Sequence, residues 1–137
     1  MTMAHLLFDF GAGTVSFTNA GHIYPWRVEP SGKVTALENP ARPLGVRLRH
    51  EFRTVTAPLV PGDAWVLLSD GIVEGASPSG DLFGFERLEA LLAEGATLPA
   101  GELVEKILAA WRAFTGTDTP EDDRTLLVLR LIPVSPT

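Results

Sequence analysis

Apolar residues first alternate with polar ones in short runs, then recur at helical spacing from about Phe85, and return to one short run near the end. Leu6–Phe10 and Thr14–Thr18 flank Gly11-Ala12-Gly13, which predicts a β-hairpin. Ile23–Val28 and Lys33–Leu37 bracket Glu29-Pro30-Ser31-Gly32 and predict a second. Asn39–Gly45 holds two prolines and a glycine and is predicted as loop. Phe52 and Val55 alternate with polar residues between His50 and Ala57, the pattern of an amphipathic strand. After the turn Pro61-Gly62-Asp63, the run Ala64–Leu68 predicts a strand buried on both faces. Phe85, Leu88, Leu91 and Leu92 form one helical stripe, and Leu103, Val104, Ile107, Leu108 and Trp111 another. Gly95 and Gly116 stand where helix C-terminal glycines are wanted. Leu126–Ile132 is a last apolar strand, ended by Pro133. Six strands, two helices and a returning strand make an α+β pattern.

Composition bounds the function. The 137 residues, 45% of them hydrophobic and 20% charged, predict one folded domain. No apolar run approaches the roughly 18 residues of a membrane helix, and the start has no basic signal-peptide region. There is no cysteine, so disulfides, thiolate metal sites and a cysteine nucleophile are excluded. A net charge of −6 argues against a phosphate-backbone binder. The expectation is a soluble, cytoplasmic domain with neither nucleic-acid nor membrane partner.

The phosphate loop, the nucleophile elbow and the zinc-protease helix are all missing, and His5, His22 and His50 form no close pair. What remains is acidic residues at the ends of buried strands. Asp70 follows the most hydrophobic strand, and Gly71 is read as letting the backbone turn sharply beside it. Asp122 and Asp123 precede the last strand. If those two strands are neighbours, their ends bring the acids together, an oxygen-only set suited to Mg²⁺ or Mn²⁺. Asp-Gly is equally a common turn dipeptide, the acid pair equally a solvated cap, and Trp26, Trp65 and Trp111 read most simply as core. The residues alone leave the function undecided.

Taken in order, Thr18-Asn19-Ala20-Gly21-His22, Arg42–Gly45, Leu59–Asp63, Leu67–Glu74, Gly80–Gly84 and Asp122–Thr125 resemble the stage II sporulation protein E-type phosphatases. These are a bacterial branch of the protein phosphatase 2C-like (PPM) serine/threonine phosphatases. The resemblance implies an αββα sandwich with two Mn²⁺ or Mg²⁺ ions at one end. A metal-bound water there removes phosphate from phosphoserine or phosphothreonine of a small, anti-anti-sigma-like regulatory protein. By position it makes Asp70 and Asp122 metal ligands, and since Asp123 stands where the wider superfamily usually has asparagine, either Asp122 or Asp123 is the acid of that motif that touches metal. Ser69 replaces the usual threonine, Gly75 stands where alanine is common, and Asn19, Gly21 and His22, with Gly71, shape the site.

The resemblance covers only the carboxyl-terminal half to two-thirds of that domain, placed at residues 1–132 with 133–137 as a tail. Nothing in residues 1–20 matches the family's first motif, an Asp followed by a Gly-His-Gly-like segment that supplies the bridging aspartate. The expectations are an amino-terminally truncated sandwich, weak metal binding and little turnover. The alternative is a non-catalytic module that binds a partner or forms a homodimer through the surface left open.

Overall fold

The first hairpin joins β1 (Met3–Asp9) to β2 (Thr14–Ala20), and β5 (Thr54–Pro58) adds to the other edge of β2, all antiparallel. A second antiparallel sheet has the order β4-β3-β6-β7, from β3 (Trp26–Val28), β4 (Val34–Ala36), β6 (Ala64–Leu68) and β7 (Leu126–Arg130). Between β6 and β7 the chain forms a single helical turn, α1 (Asp70–Val73), then α2 (Gly84–Glu94) and α3 (Ala100–Thr115). The computed structural model describes residues 1–46, 51–119 and 123–134.

The element order therefore follows the hydrophobic pattern, but several bounds differ: β1 already begins at Met3, before the predicted Leu6, and β3 begins only at Trp26, after the predicted Ile23. The amphipathic strand begins at Thr54, so Phe52 precedes it, and His50 lies outside the described residues. β7 stops at Arg130, because its partner β6 begins at Ala64, the residue paired with Arg130. The turn α1 was not expected, since four residues are too few to show helical periodicity. Both helix-end glycines fall as read, but only Gly116 is left-handed (φ 70°); Gly95 ends α2 at φ −93°.

Packing follows from the two periods. The apolar stripes of α2 (Leu88, Leu92) and α3 (Leu103, Ile107, Trp111) bury against Trp26, Val28, Val66 and Leu68 of the four-stranded sheet. The opposite face of β6 carries Trp65, fully buried and met edge-on by Phe8 of β1 at 6.1 Å, so the two sheets pack face to face. Cross-strand partners share a face, so Val15 and Phe17 point inward while Ser16, Thr18, Thr54 and Thr56 point outward beside Met3 and Leu7. No described helix is long and apolar enough to cross a membrane.

One buried charge sits just before the start of β6. Asp63, 1% exposed, accepts from Arg27 Nε at 2.6 Å. Its charge also raises the proton affinity of Arg130, whose guanidinium is held below its ordinary value chiefly by burial. Removing one member of such a pair strands the other, so Asp63→Ala should cost about 2–3 kcal/mol, below the fully buried range because Arg27 stays partly solvated. Urea unfolding measures this; a loss under about 0.5 kcal/mol, the size of an ordinary surface substitution, would show the pair to be incidental.

Candidate functional site

The two acidic segments meet at one end of the four-stranded sheet. Leu68 pairs with Leu126, and the ladder runs one step further where Ser69 N–H donates to the Thr125 carbonyl at 3.0 Å. Ser69 is the N-cap of α1, but its hydroxyl does not cap that helix. It donates to the Asp123 carbonyl at 3.2 Å and accepts from Thr125 N–H at 2.8 Å. The serine thus ties Asp70's turn to the segment entering β7. Asp70 and Asp123 are both solvent-exposed and leave adjacent strand ends. Asp122, the other predicted ligand, lies outside the described residues.

Gly71 is needed here for a different reason than the turn predicted from sequence. It lies inside α1 and its φ is not positive, so no left-handed corner is made. A Cβ on Gly71 would stand 2.5 Å from the Asp123 carbonyl oxygen and 3.3 Å from its carbon. The missing side chain is what lets the two acid-bearing segments touch. Sequence spacing could not show this, because the contact spans 52 positions along the chain.

The Asn19–His22 segment lies toward the same end, since β3 and β6 are antiparallel and the chain enters β3 at Trp26 from the side on which β6 ends. Asn19, 2% exposed, holds this loop. Its Oδ1 accepts from His22 N–H at 2.9 Å, and its Nδ2 donates to the carbonyls of His22 at 3.1 Å and Asn39 at 2.9 Å. Asn39 in turn donates to the carbonyls of Phe17 and Arg53. Gly21 has φ +69° and lies against Pro43, where a Cβ would come within 2.6 Å of the ring. His22 Nδ1 donates to the Ile23 carbonyl at 2.8 Å. A cavity of about 430 Å³ opens beside the loop, lined by His22, Tyr24, Trp26, Phe85 and Glu89. Asn39, buried but visible in sequence only as a loop residue before proline, was missed; so was the role of Ser69.

The profile of the family described as Stage II sporulation protein E (SpoIIE) matches residues 1–132. The chain belongs to this family. Its fold is that of the protein phosphatase 2C-like domains. The SiaA-PP2C domain of Pseudomonas aeruginosa superposes with a TM-score of 0.81 at 26% identity, over 91% of this chain and 49% of that one. The phosphatase domain of the cell fate determinant SpoIIE from Bacillus subtilis, presoaked with Mn, gives 0.76 at 18% identity, over 99% and 59%. The RsbU and RsbW domains of Rv1364c from Mycobacterium tuberculosis give 0.71 at 23% identity, over 98% and 37%. No curated protein matches the sequence. The chain thus spans about half the length of the SiaA domain it resembles.

Within a SpoIIE-family sandwich, the chemistry of the donor set can be tested against a divalent ion. Asp70 and Asp123 are exposed carboxylates, the hard oxygen donors that Mn²⁺ and Mg²⁺ take. The donor type fits. Among the described residues, no three His, Asp or Glu side chains group closely enough to hold a metal ion. The described part of the site is therefore a pair of carboxylates on adjacent strand ends, with Asp122 next in sequence.

Proposed function

We propose that this chain contributes the carboxyl-terminal metal ligands of a metal-dependent phosphoserine/phosphothreonine protein phosphatase centre, acting on a small phosphorylated regulatory protein. The observation that carries the reading is the register of β6 and β7. It draws Asp70 and Asp123 to one end of the sheet and is locked by the Ser69 hydroxyl. Family membership over residues 1–132 supports the same reaction class. Asp70 and Asp123, with Asp122 by its place in the motif, would hold Mn²⁺ or Mg²⁺. Such an ion lowers the pKa of a bound water and neutralises charge on a phosphoryl group. The chain's own part is to present these carboxylates on rigid strand ends, so that little ordering is left to be done when an ion binds.

The 137 residues carry no Asp with a following Gly-His-Gly-like segment, so the anionic charge around two divalent ions is incomplete within this chain. Mn²⁺ binding is expected to be weak but saturable, and hydrolysis of p-nitrophenyl phosphate close to background. Asp70→Asn keeps the shape and removes the charge. It should weaken Mn²⁺ binding by at least about tenfold, since even outer-shell partners of metal ligands are worth about 10–100-fold. Titration with Mn²⁺ followed by water proton relaxation reads this directly. Unchanged affinity in Asp70→Asn would refute the site; robust turnover by the parent chain would refute the expectation of an incomplete centre.

A further inference from the structure

Trp111 and Arg124 join the two halves of the candidate centre. Trp111, near the end of α3, is 3% exposed and donates its indole N–H to the Ile72 carbonyl at 3.0 Å, inside the turn that begins with Asp70. Gly75 leaves room for the ring, because a Cβ there would overlap the indole. The Arg124 guanidinium lies over the same ring, its central carbon 4.0 Å from the centroid. Arg124 Nη2 donates to the Asp118 carbonyl at 3.1 Å, and Asp118 is itself paired with Arg112 of α3 at 3.0 Å. The Arg124 stem also runs past Gly71, with Cγ 3.4 Å from where a Cβ would be. One indole therefore touches the Asp70 turn through its N–H and the residue after Asp123 through its face.

We infer that the Arg124–Trp111 stack is a clasp that sets the position of Asp123 relative to Asp70, making Arg124 a positioning residue for the divalent-ion site. This rests on the metal-site reading above. The physical case is preorganisation. Asp123 sits on an exposed segment whose ordering would otherwise be charged against ion binding, and a planar guanidinium stacked on a buried ring and bonded to Asp118 holds that segment in advance. Lysine at the same place would keep the charge but lose both the stack and the fixed fork.

The sign of the effect separates this from electrostatics. A cation beside a divalent-ion site repels the ion, so removing Arg124 for its charge alone would tighten Mn²⁺ binding. The clasp requires the opposite. Arg124→Ala should weaken Mn²⁺ binding by about tenfold, comparable to other residues that orient metal ligands, and Arg124→Lys should weaken it too. Both variants are to be titrated with Mn²⁺ by water proton relaxation beside the parent chain and Asp70→Asn, with circular dichroism confirming the fold. If the alanine variant does not fold, the lysine variant decides. Parent-level or tighter binding in a folded variant, with binding still lost in Asp70→Asn, overturns the clasp alone. No saturable binding by the parent chain, or no difference in Asp70→Asn, overturns the metal site and the clasp together.

Discussion

Asn19→Ala should cost about 4 kcal/mol and lower the melting temperature by roughly 15 °C, at about 4 °C per kcal/mol for a domain of this size. The side chain is nearly fully buried and satisfies three backbone groups at once: the His22 N–H, the His22 carbonyl and the Asn39 carbonyl. Truncation leaves each without its partner, and a buried polar group so stranded costs about 1–3 kcal/mol. The loss at His22 is softened by partial solvent access, which keeps the sum toward the lower end. Asn19→Asp is the sharper test, because it preserves shape and the acceptor for His22 N–H. It turns the donor into a carboxylate oxygen facing two carbonyls, and so should be at least as damaging. Thermal melting of both variants checks this. A shift of only a few degrees in each would mean that the loop is held by Gly21 and Pro43 rather than by Asn19.

Gly71→Ala should cost about 3–4 kcal/mol and reduce Mn²⁺ affinity together with stability. The added methyl meets the Asp123 backbone, which cannot swing aside as a flexible side-chain end would. Overpacking of this kind costs about 1–3 kcal/mol. Separating α1 from the entry to β7 also lengthens the Ser69 hydroxyl bonds to Asp123 and Thr125, each worth about 1 kcal/mol. Gly101→Ala is the control. Gly101 lies in α3 with open space where a Cβ would stand and no positive φ, so the same substitution there should be neutral or stabilising by up to about 1 kcal/mol. Denaturant unfolding of the two variants gives the comparison. Equal stability would show that the carbonyl of Asp123 yields freely and that the close approach is not a constraint.

Much of the fold was legible because each element announces itself over a short stretch. Short apolar-aromatic runs around Gly11-Ala12-Gly13 mark β1 and β2, alternation marks β5, the unbroken run Ala64–Leu68 marks the strand covered on both sides, and the stripes ending in Leu92 and Trp111 mark the two long helices. Strand ends were less legible, since β7 stops where β6 begins and not where its own hydrophobicity does. At the site, Asp70 and Asp123 stood out as acids at the ends of apolar runs, whereas Ser69, Asn39 and Arg124 did not. Their roles consist of bonds to residues 54, 22 and 6 positions away, the first two far outside any local pattern.

The order of residues thus sufficed to establish the element types, the core-facing stripes, the family resemblance and which acids to examine, because hydrophobic period and motif order are written along the chain. Only the folded chain showed which acids meet and what holds them. The pairing of β6 with β7 brings position 70 to position 123, and the absent side chain of Gly71 turns out to make space for a carbonyl instead of a bend. The reason is that a contact across the sheet depends on distances between backbones, which local propensity does not encode.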